Sequence, residues 1–202
     1  MGLSIWYLVD TICFMESSRI YNYLERLSEL LRVDSRQAGA THGLQPVQLE
    51  ALHYLSMCNR FSDTPMAVTD YLGQTKGTVS QTLKVLEKKQ LLEKIPDTKD
   101  RRIFHLKVTV AGKHLLEQTI PTPAFARMCE NLSEKEQADI TASLKLLLRM
   151  HLVANKLKSF GVCKSCCYNR QTTEADYFCQ LVGQPLSNDD IELICREHEV
   201  KQ

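Results

Sequence analysis

The chain has 202 residues, of which 44% are hydrophobic and 24% charged, and its formal net charge is +1. This composition is typical of a soluble globular protein with one large domain, or one domain with an appendage. The N-terminal stretch MGLSIWYLVDTICF lacks a basic segment and is interrupted by Asp10, so we expect neither a signal peptide nor a membrane span. The sequence therefore predicts a cytoplasmic protein, in which thiols stay reduced.

Helical spacing of apolar residues begins near the N-terminus. Within residues 15–33, four apolar side chains recur on one face of a helix, namely Ile20, Leu24, Leu27 and Leu31. The following stretch DSRQAGATHG has the composition of a loop. Pro46 then opens a second helix, which we predict over residues 45–58.

Two short helices and a hairpin are predicted next. Residues 63–72 form a helix that stops at Gly73, and another helix begins at Thr75, a natural N-cap. At 100° per residue, the second helix buries Val79, Leu83 and Leu86 and exposes Thr78, Gln81, Lys84 and Lys88. β-prone runs on both sides of PDTKD predict a hairpin with a longer loop. This order of elements predicts a winged helix-turn-helix.

Positive charge is concentrated in the same part of the chain. Residues 75–107 hold nine Lys and Arg against four Asp and Glu, a local charge of +5. One basic segment in a near-neutral chain favours contact with a polyanion, although a solvated basic surface would give the same pattern. A helix that fits the major groove, with Gln for adenine edges and Lys for phosphates, favours double-stranded DNA as the partner.

A longer helix is predicted in the second half of the chain. The helical period returns at Ala111, is broken by Pro121 and Pro123, and restarts at a capping box formed by Ser133 and Glu136. We expect this last helix to run for some 25 residues and to end at Gly161. Its apolar face, and that of the first helix, need a partner that a symmetric dimer would supply.

The segment VTDYLGQTKGTVSQTLKVLEKKQLLEKIPDTKDRRIFHLKVTVAGKHLL resembles the DNA-binding core of the MarR family of bacterial regulators. The most specific marks are KGTVSQTLKVLEKKQLLEK, the wing DTKDRRIFHLKVT and the following AGKHLL. The resemblance covers about residues 10–158. It implies a mainly α fold with a small β-wing, a homodimer joined through its N- and C-terminal helices, a repressor of transcription, and a small-molecule inducer.

The resemblance also implies which residues contact DNA. Arg102 corresponds to the wing arginine that enters the minor groove, and Asp100 braces it through a salt bridge. The residues that we expect at the DNA interface are Thr75, Lys76, Thr78, Gln81, Lys84, Lys88, Asp100, Arg101 and Arg102. The predicted domains are an N-terminal dimerisation helix and loop (1–45), the winged helix-turn-helix (46–110), C-terminal dimerisation helices (111–160) and a cysteine-rich tail (161–202).

The acidic tail holds five of the eight cysteines. A C-x2-C turn places two thiolates on one ion, and distant cysteines complete a tetrahedron. The spacing therefore predicts a structural Zn²⁺ site, which would also stabilise a tail with few apolar residues. The predicted ligands are Cys163, Cys166, Cys179 and Cys195, with His198 as an alternative to Cys179 and Cys167 as a bystander.

Other interpretations of the tail stay open at this point. The same four thiolates suit an iron–sulfur cluster, and a regulatory disulfide is a further alternative. A thioredoxin-like catalyst is disfavoured because CKSC lacks a βαβ context. The tail would then be either a structural unit, the switch of a redox or metal sensor, or a module that docks a protein partner. No paired carboxylates, nucleophile–base motif or phosphate loop predicts an enzyme.

The remaining cysteines are predicted to be ordinary buried thiols. They are Cys13, Cys58 and Cys129. Cys13 is also a candidate redox residue, because ICFMESSR is similar to the first helix of the peroxide-sensing branch of the MarR family. His42, His53 and His151 show no ligand spacing.

Overall fold

The computed structural model describes residues 5–98, 100–172 and 176–200, without the side chains of residues 5–15. The chain divides into two compact units, Met1–Pro46 and Val47–Gln202. Within the described residues, no helix is both long enough and apolar enough to cross a membrane.

The first unit consists of helix α1 (Ile5–Ala40) and the turn after it. The predicted loop beginning at Asp34 is wrong, because the helix continues through Arg36, Gln37 and Ala38, which are all good helix formers. The chain turns at Gly43, whose φ of 62° lies in the left-handed region that glycine tolerates.

The second unit begins with three helices, α2 (Pro46–Met57), α3 (Pro65–Leu72) and α4 (Lys76–Lys88). The predicted positions of these helices are confirmed. Gly73 ends α3 with a left-handed φ of 60°, and the Thr75 hydroxyl caps α4 by accepting a bond from the Thr78 amide at 3.2 Å. The two caps place α3 and α4 on either side of a tight turn, which defines a helix-turn-helix.

The core of this motif is built from buried side chains of α2, α3 and α4. Leu49 and Leu52 of α2 are fully buried, and Val79, Leu83 and Leu86 of α4 are buried as predicted. The Tyr54 hydroxyl, also inside the core, donates a hydrogen bond of 2.8 Å to the Ser62 carbonyl. This bond fixes the loop between α2 and α3 without leaving a buried polar group unpaired.

The predicted hairpin is present as strands β1 (Leu92–Pro96) and β2 (Phe104–Val108). The strands are antiparallel, with Leu92 opposite Val108 and Pro96 opposite Phe104. Leu106 and Val108 point into the core, and the Leu106 amide donates to the Asp63 carbonyl at 2.7 Å. The hairpin is therefore a wing that is attached to the segment preceding α3.

His105 strengthens this attachment. Its Nδ1 lies 2.6 Å from Asp63 Oδ1, and its Nε2 lies 3.2 Å from Asp97 Oδ2. Burial alone would lower the pKa of His105, but the bonds to the two carboxylates more than offset this and raise the pKa. Burial raises the pKa of Asp63, although its bond to His105 acts in the opposite direction. One imidazole thus ties the wing to the helix-turn-helix.

Three helices follow the wing: α5 (Val110–Thr119), α6 (Pro123–Glu130) and α7 (Glu134–Ala154). Helix α6 was not predicted, because only Pro123 at its first position and the Thr122 cap mark it. The predicted capping box of Ser133 and Glu136 is confirmed. The predicted end of α7 at Gly161 is wrong, because the Asn155 side chain caps the His151 carbonyl at 2.9 Å.

The tail is a small, irregular structure. It contains a 3-10 turn (Cys163–Ser165), strands β3 (Asn169–Gln171), β4 (Tyr177–Cys179) and β5 (Gln184–Leu186), and helix α8 (Asn188–Glu192). The three strands form an antiparallel sheet in the order β3-β4-β5. The tail belongs to the same compact unit as the winged helix, Val47–Gln202.

Gly112 provides a test of how α5 packs. A Cβ at this position would lie 2.4 Å from the Leu91 carbonyl oxygen and 2.8 Å from Val108 Cγ1. We expect Gly112→Ala to lower the free energy of unfolding by about 1–3 kcal/mol, measured by urea denaturation. Gly77→Ala is the matched control, because the nearest atom to its Cβ is 3.8 Å away and alanine favours helix. Equal stability of Gly112→Ala and wild type would contradict this packing.

The pH dependence of stability tests the His105 attachment. Because the folded pKa of His105 is raised, its stabilisation is complete below the unfolded pKa of about 6.5 and is lost as pH rises through the folded pKa. The stability difference between wild type and His105→Leu should therefore be larger near pH ~6 than near pH ~8.5. His114→Leu, at an exposed position of α5, is the control. A pH-independent difference for His105→Leu would show that the imidazole is not charged in the folded state.

Candidate functional site

Helix α4 presents a polar face opposite its buried one. Thr78, Gln81, Lys84 and Lys88 are all exposed on this face. At the start of the helix, Thr75 and Lys76 are exposed as well, and the Thr75 and Thr78 hydroxyls lie 3.0 Å apart. The amino end of a helix also carries a partial positive charge, which attracts phosphate. The exposed face therefore has the donors and charges that a helix in a DNA groove requires.

The tip of the wing carries an ordered arginine. Arg102 Nη2 lies 2.8 Å from Asp100 Oδ2, and its Nε lies 3.0 Å from Oδ1, so the contact is bidentate. The Arg102 amide also donates to Asp100 Oδ1 at 3.0 Å. Hydrogen bonds from Arg102 lower the pKa of Asp100, and the same pairing raises the pKa of Arg102. The Arg102 side chain nevertheless stays 90% exposed, so the pair orients a charged group without removing it from solvent.

A groove beside α4 contains residues that the sequence did not single out. It encloses about 290 Å³ between α3, α4 and β1. Ser80 and Lys94 line this groove together with the predicted residues Lys76 and Lys84. The Lys94 ammonium lies 4.2 Å from the centre of the Phe104 ring, a cation–π contact. Lys94 is one of the nine basic residues counted in residues 75–107, but nothing in the sequence predicted that it lies beside α4.

The predicted DNA-contacting residues thus fall into two groups. Six lie on α4 or at its cap, and three lie at the wing tip, where Arg101 is also exposed. The first group combines uncharged hydrogen-bonding side chains with lysines, and the second is built on two arginines. The structure therefore places the predicted residues on two exposed surfaces, one on α4 and one at the wing tip.

Helix α7 has an unusual surface for a helix of a folded unit. None of its residues is buried. Apolar side chains that are between 37% and 70% exposed run along its length: Ile140, Leu144, Leu146, Leu147, Leu148, Met150 and Val153. In the first unit, α1 likewise exposes Ile20, Leu27, Leu30 and Leu31. Exposed apolar faces of this size mark interaction surfaces.

The four cysteines predicted as metal ligands lie around one small cavity of about 40 Å³. Cys163 and Cys166 are each only 4% exposed, and Cys179 and Cys195 are partly buried. The cysteines of the described region are free thiols. No group of three or more His, Cys, Asp or Glu side chains in that region is positioned to hold a metal ion as it stands. The thiols therefore share a cavity without forming a preassembled ligand set.

Backbone contacts hold these cysteines near one another. The Cys166 amide donates to the Cys163 carbonyl at 3.0 Å, which closes the C-x2-C turn. The Cys163 amide bonds to Leu193 and the Cys195 amide to Gly161, at 3.0 and 2.9 Å, so the two cysteines lie on adjacent segments. Burial, followed by the charges of Cys195, Cys166 and Cys179, raises the pKa of the Cys163 thiol to about 12.

His198 and Cys167 lie outside this cavity. The His198 Nδ1 is 2.7 Å from the Ser159 hydroxyl, and its Nε2 is 2.9 Å from the Ser165 hydroxyl, so both ring nitrogens have partners. His198 is therefore a poor alternative to Cys179 as a ligand, despite its spacing from Cys195. The Cys167 amide donates to the Glu199 carbonyl at 2.8 Å, its thiol lies 4.0 Å from Glu199 Oε2, and it does not line the cavity.

The other cysteines have separate environments. Cys58 is buried, with its Sγ 3.7 Å from the Leu55 carbonyl, and burial raises the pKa of its thiol to about 12. Its prediction as an ordinary buried thiol is confirmed. Cys129 is partly buried. The side chain of Cys13 lies outside the described residues, so its redox role stays a prediction.

Comparisons with known proteins address the winged helix directly. Residues 42–103 match the family model described as the MarR family. A curated relative, the uncharacterized HTH-type transcriptional regulator YwaE of Bacillus subtilis (strain 168), is 26% identical over 134 residues, which cover 65% of this chain and 77% of that protein.

Solved structures share the fold. A MarR transcriptional regulator from Methanosarcina mazei Go1 superimposes with a TM-score of 0.59 at 19% identity, over 68% of this chain and 99% of that one. MepR of S. aureus, solved as a complex with DNA, superimposes with a TM-score of 0.53 at 27% identity, over 64% and 97% of the two chains. The winged helix therefore resembles the MarR family in sequence over residues 42–103 and shares its fold with these solved structures.

Proposed function

We propose that this protein is a sequence-specific DNA-binding regulator of the MarR type that acts as a homodimer. The observation that carries the proposal is the combination of a polar exposed face on α4 with the Asp100–Arg102 pair at the wing tip. Similarity to MepR, which is known as a DNA complex, supports DNA as the partner. The fold and the family match are those of transcription regulators, which are generally not enzymes.

In this proposal α4 enters the major groove. The groove is about 12 Å wide and admits one helix, with the N-terminal residues of the helix closest to the bases. Gln81 would pair with an adenine edge, and Thr78 would contact a thymine methyl or a phosphate. Lys84 and Lys88 lie farther along the helix and would bind phosphates, which adds affinity without sequence information.

The wing would contact the neighbouring minor groove. A narrow minor groove concentrates negative potential, and an arginine fits into it better than a hydrated lysine does. Asp100 holds the Arg102 guanidinium in one direction before DNA arrives, which lowers the entropy cost of binding. The proposed role of Asp100 is therefore to position Arg102 rather than to contact DNA.

The homodimer follows from the exposed apolar faces of α7 and α1. A symmetric dimer buries the same patch on both chains, and it places two recognition helices on one face of a duplex. Half-sites would then lie about 34–36 Å apart, one turn of DNA. We further propose that the bound dimer represses transcription by occupying the duplex, and that the cysteine-rich tail is a metal-holding unit.

A cavity beside α3 and α7 would suit an inducer. It encloses about 940 Å³. Apolar side chains dominate its lining, including Tyr71, Leu148, Leu152, Leu157, Phe160 and Ile194. A small apolar molecule would fit such a site, and its position next to α3 would allow it to affect the helix-turn-helix.

The wing assignment is tested by Arg102→Ala. A duplex selected from a random-sequence library by the wild-type protein serves as the probe, and affinity is measured by fluorescence anisotropy at matched salt. We expect Arg102→Ala to weaken binding at least about fivefold, because a minor-groove contact is lost. Arg127→Ala, which removes the same charge from α6, should leave affinity nearly unchanged. Unaltered binding by Arg102→Ala would refute the wing contact.

The recognition helix is tested by repeating the selection with Gln81→Ala. Loss of a bidentate contact should relax the preference at one base position in each half-site, while the half-site spacing stays the same. Lys88→Ala should instead weaken binding to all sequences alike and reduce its salt dependence. An unchanged base preference for Gln81→Ala would exclude direct readout by this side chain.

The dimer is tested by placing a charge on the apolar face of α7. Leu144→Glu should convert the dimer into a monomer, because a buried unpaired carboxylate is costly at an interface. Light scattering coupled to gel filtration measures the mass. Lys145→Glu, at the next position of the same helix, should remain dimeric. A monomeric wild type at micromolar concentration would contradict the homodimer.

A further inference from the structure

The tail has too little apolar core to hold itself together. Its buried cluster consists of Cys163, Leu186 and Ile191. Four partly buried side chains pack against this cluster, namely Phe61, Tyr177, Cys179 and Cys195. Small domains with so few fully buried aliphatic side chains are commonly stabilised by a metal or a disulfide, and the described cysteines form no disulfide.

The cavity among the four cysteines also contains two unusual amides. Asn59 is 1% exposed and Asn169 is 6% exposed, and both line this cavity. Asn59 Nδ2 and Asn169 Oδ1 are the only buried side-chain nitrogen or oxygen atoms without a hydrogen-bond partner in the described part of the chain. The Asn169 amide nitrogen already lies 4.0 Å from the Cys163 sulfur. The buried Asn59 Nδ2 is a donor without an acceptor, which is costly, and a thiolate in the cavity would be that acceptor; Asn169 Oδ1 is itself an acceptor and gains no partner from a thiolate.

We propose that Cys163, Cys166, Cys179 and Cys195 bind one thiophilic divalent cation of the Zn²⁺ class, and that this ion keeps the tail docked on the helix-turn-helix. Four thiolates around one ion form the tetrahedral arrangement of structural zinc sites. The four Sγ atoms are not in that arrangement as they stand, and rotation about χ1 changes the position of a sulfur while its backbone stays in place. Binding releases the four thiol protons to solvent, and the divalent cation balances two of the four thiolate charges.

The size of the cavity favours a single ion. A volume of 40 Å³ is only a few times the roughly 10–15 Å³ that one water needs. A four-iron cluster with its bridging sulfides is an eight-atom body and would require the surrounding segments to separate. The cysteines instead approach from the C-x2-C turn, the end of β4 and the segment after α8, all of which are fixed by backbone bonds.

Cys195 connects the ion to the DNA-binding unit. The residue before it, Ile194, exchanges backbone bonds with α2 and its end: its amide donates to Met57 at 3.0 Å, and its carbonyl accepts from Asn59 at 2.9 Å. The residue after it, Arg196, donates its amide to the Ser62 hydroxyl at 2.8 Å. A metal–sulfur bond at Cys195 would therefore hold the segment 194–196, whose first and last residues are both hydrogen-bonded to the end of α2 or to the segment after it.

Arg196 also reaches the helix-turn-helix itself. Its Nη2 and Nε lie 2.6 and 2.7 Å from Asp70 Oδ2 in α3, and both side chains are about 70% buried. Helix α3 is joined to α4 through the turn at Gly73. Loss of the Arg196–Asp70 contact would therefore change the position of α3 and, with it, that of α4. We infer that metal loss undocks the tail and weakens DNA binding. This second half rests on the proposed DNA-binding function, whereas the metal site does not.

The metal site is tested by elemental analysis of the purified full-length protein. We expect about one zinc per chain for wild type and Cys167→Ser, and a sharp loss for Cys166→Ser and Cys195→Ser. Tail proteolysis should increase only in the two variants that lose the ion. Since these variants could misfold, Co²⁺ is also added to metal-free wild type, where the visible absorption of tetrahedral thiolate coordination is expected. The site is overturned if the wild-type protein contains no zinc and gives no such Co²⁺ spectrum. It is also overturned if the purified protein contains iron.

The coupling is tested by DNA affinity with and without the ion. Removal of zinc by a chelator should weaken binding of the selected duplex by about tenfold, and added zinc should restore it. Arg196→Met should keep the zinc but bind DNA as weakly as the metal-free protein, because the docking contact is lost. Equal affinity of the zinc-bound and metal-free forms overturns the coupling. If neither form binds any duplex, the proposed DNA function fails, while the zinc content still decides the metal site.

Discussion

The burial of one face of α4 is the constraint on which the rest of the structure depends. Val79, Leu83 and Leu86 are buried in the core, where α4 packs against α3 and strand β1 of the wing, so the opposite face of the helix is exposed to solvent. Burying three such side chains contributes roughly 5–9 kcal/mol, which is comparable to the whole stability of a domain. The recognition surface is thus fixed in orientation by packing on its reverse side, and its polar residues are free to vary.

Two later parts of the chain, the wing and the tail, also contact this core. The wing is anchored before α3 by the His105 pair with Asp63 and by the backbone bond from Leu106. The tail is anchored to the same segment, through the Arg196 amide on the Ser62 hydroxyl and the Ile194 carbonyl on the Asn59 amide. The short segment between α2 and α3 therefore receives contacts from two remote parts of the chain, which makes it the natural point at which the tail influences DNA binding.

Local signals in the sequence predicted most of the winged helix, because caps and glycine turns act within a few residues. Thr75, Gly73 and the Ser133 capping box all occur where expected. The extension of α1, the short α6 and the early end of α7 were missed, since weak propensities decide them. The cysteine spacing selected the four thiols that share a cavity. The spacing gave no sign of Asn59, because a single polar residue has no period and the cysteines that share its cavity lie more than a hundred residues away.

The distribution of charge explains how an acidic tail can dock on a DNA-binding unit without blocking it. The tail uses Asp190 against Arg60, and its own Arg196 against Asp70, for its ion pairs with the helix-turn-helix. Among the ion pairs of the described residues, none involves Lys76, Lys84 or Lys88. The lysines of α4 therefore keep their charge available for phosphates, and counterion release on DNA binding is not diminished by the docked tail. An effect of the tail on affinity must then act through the position of α3 and α4 rather than through direct competition for the basic face.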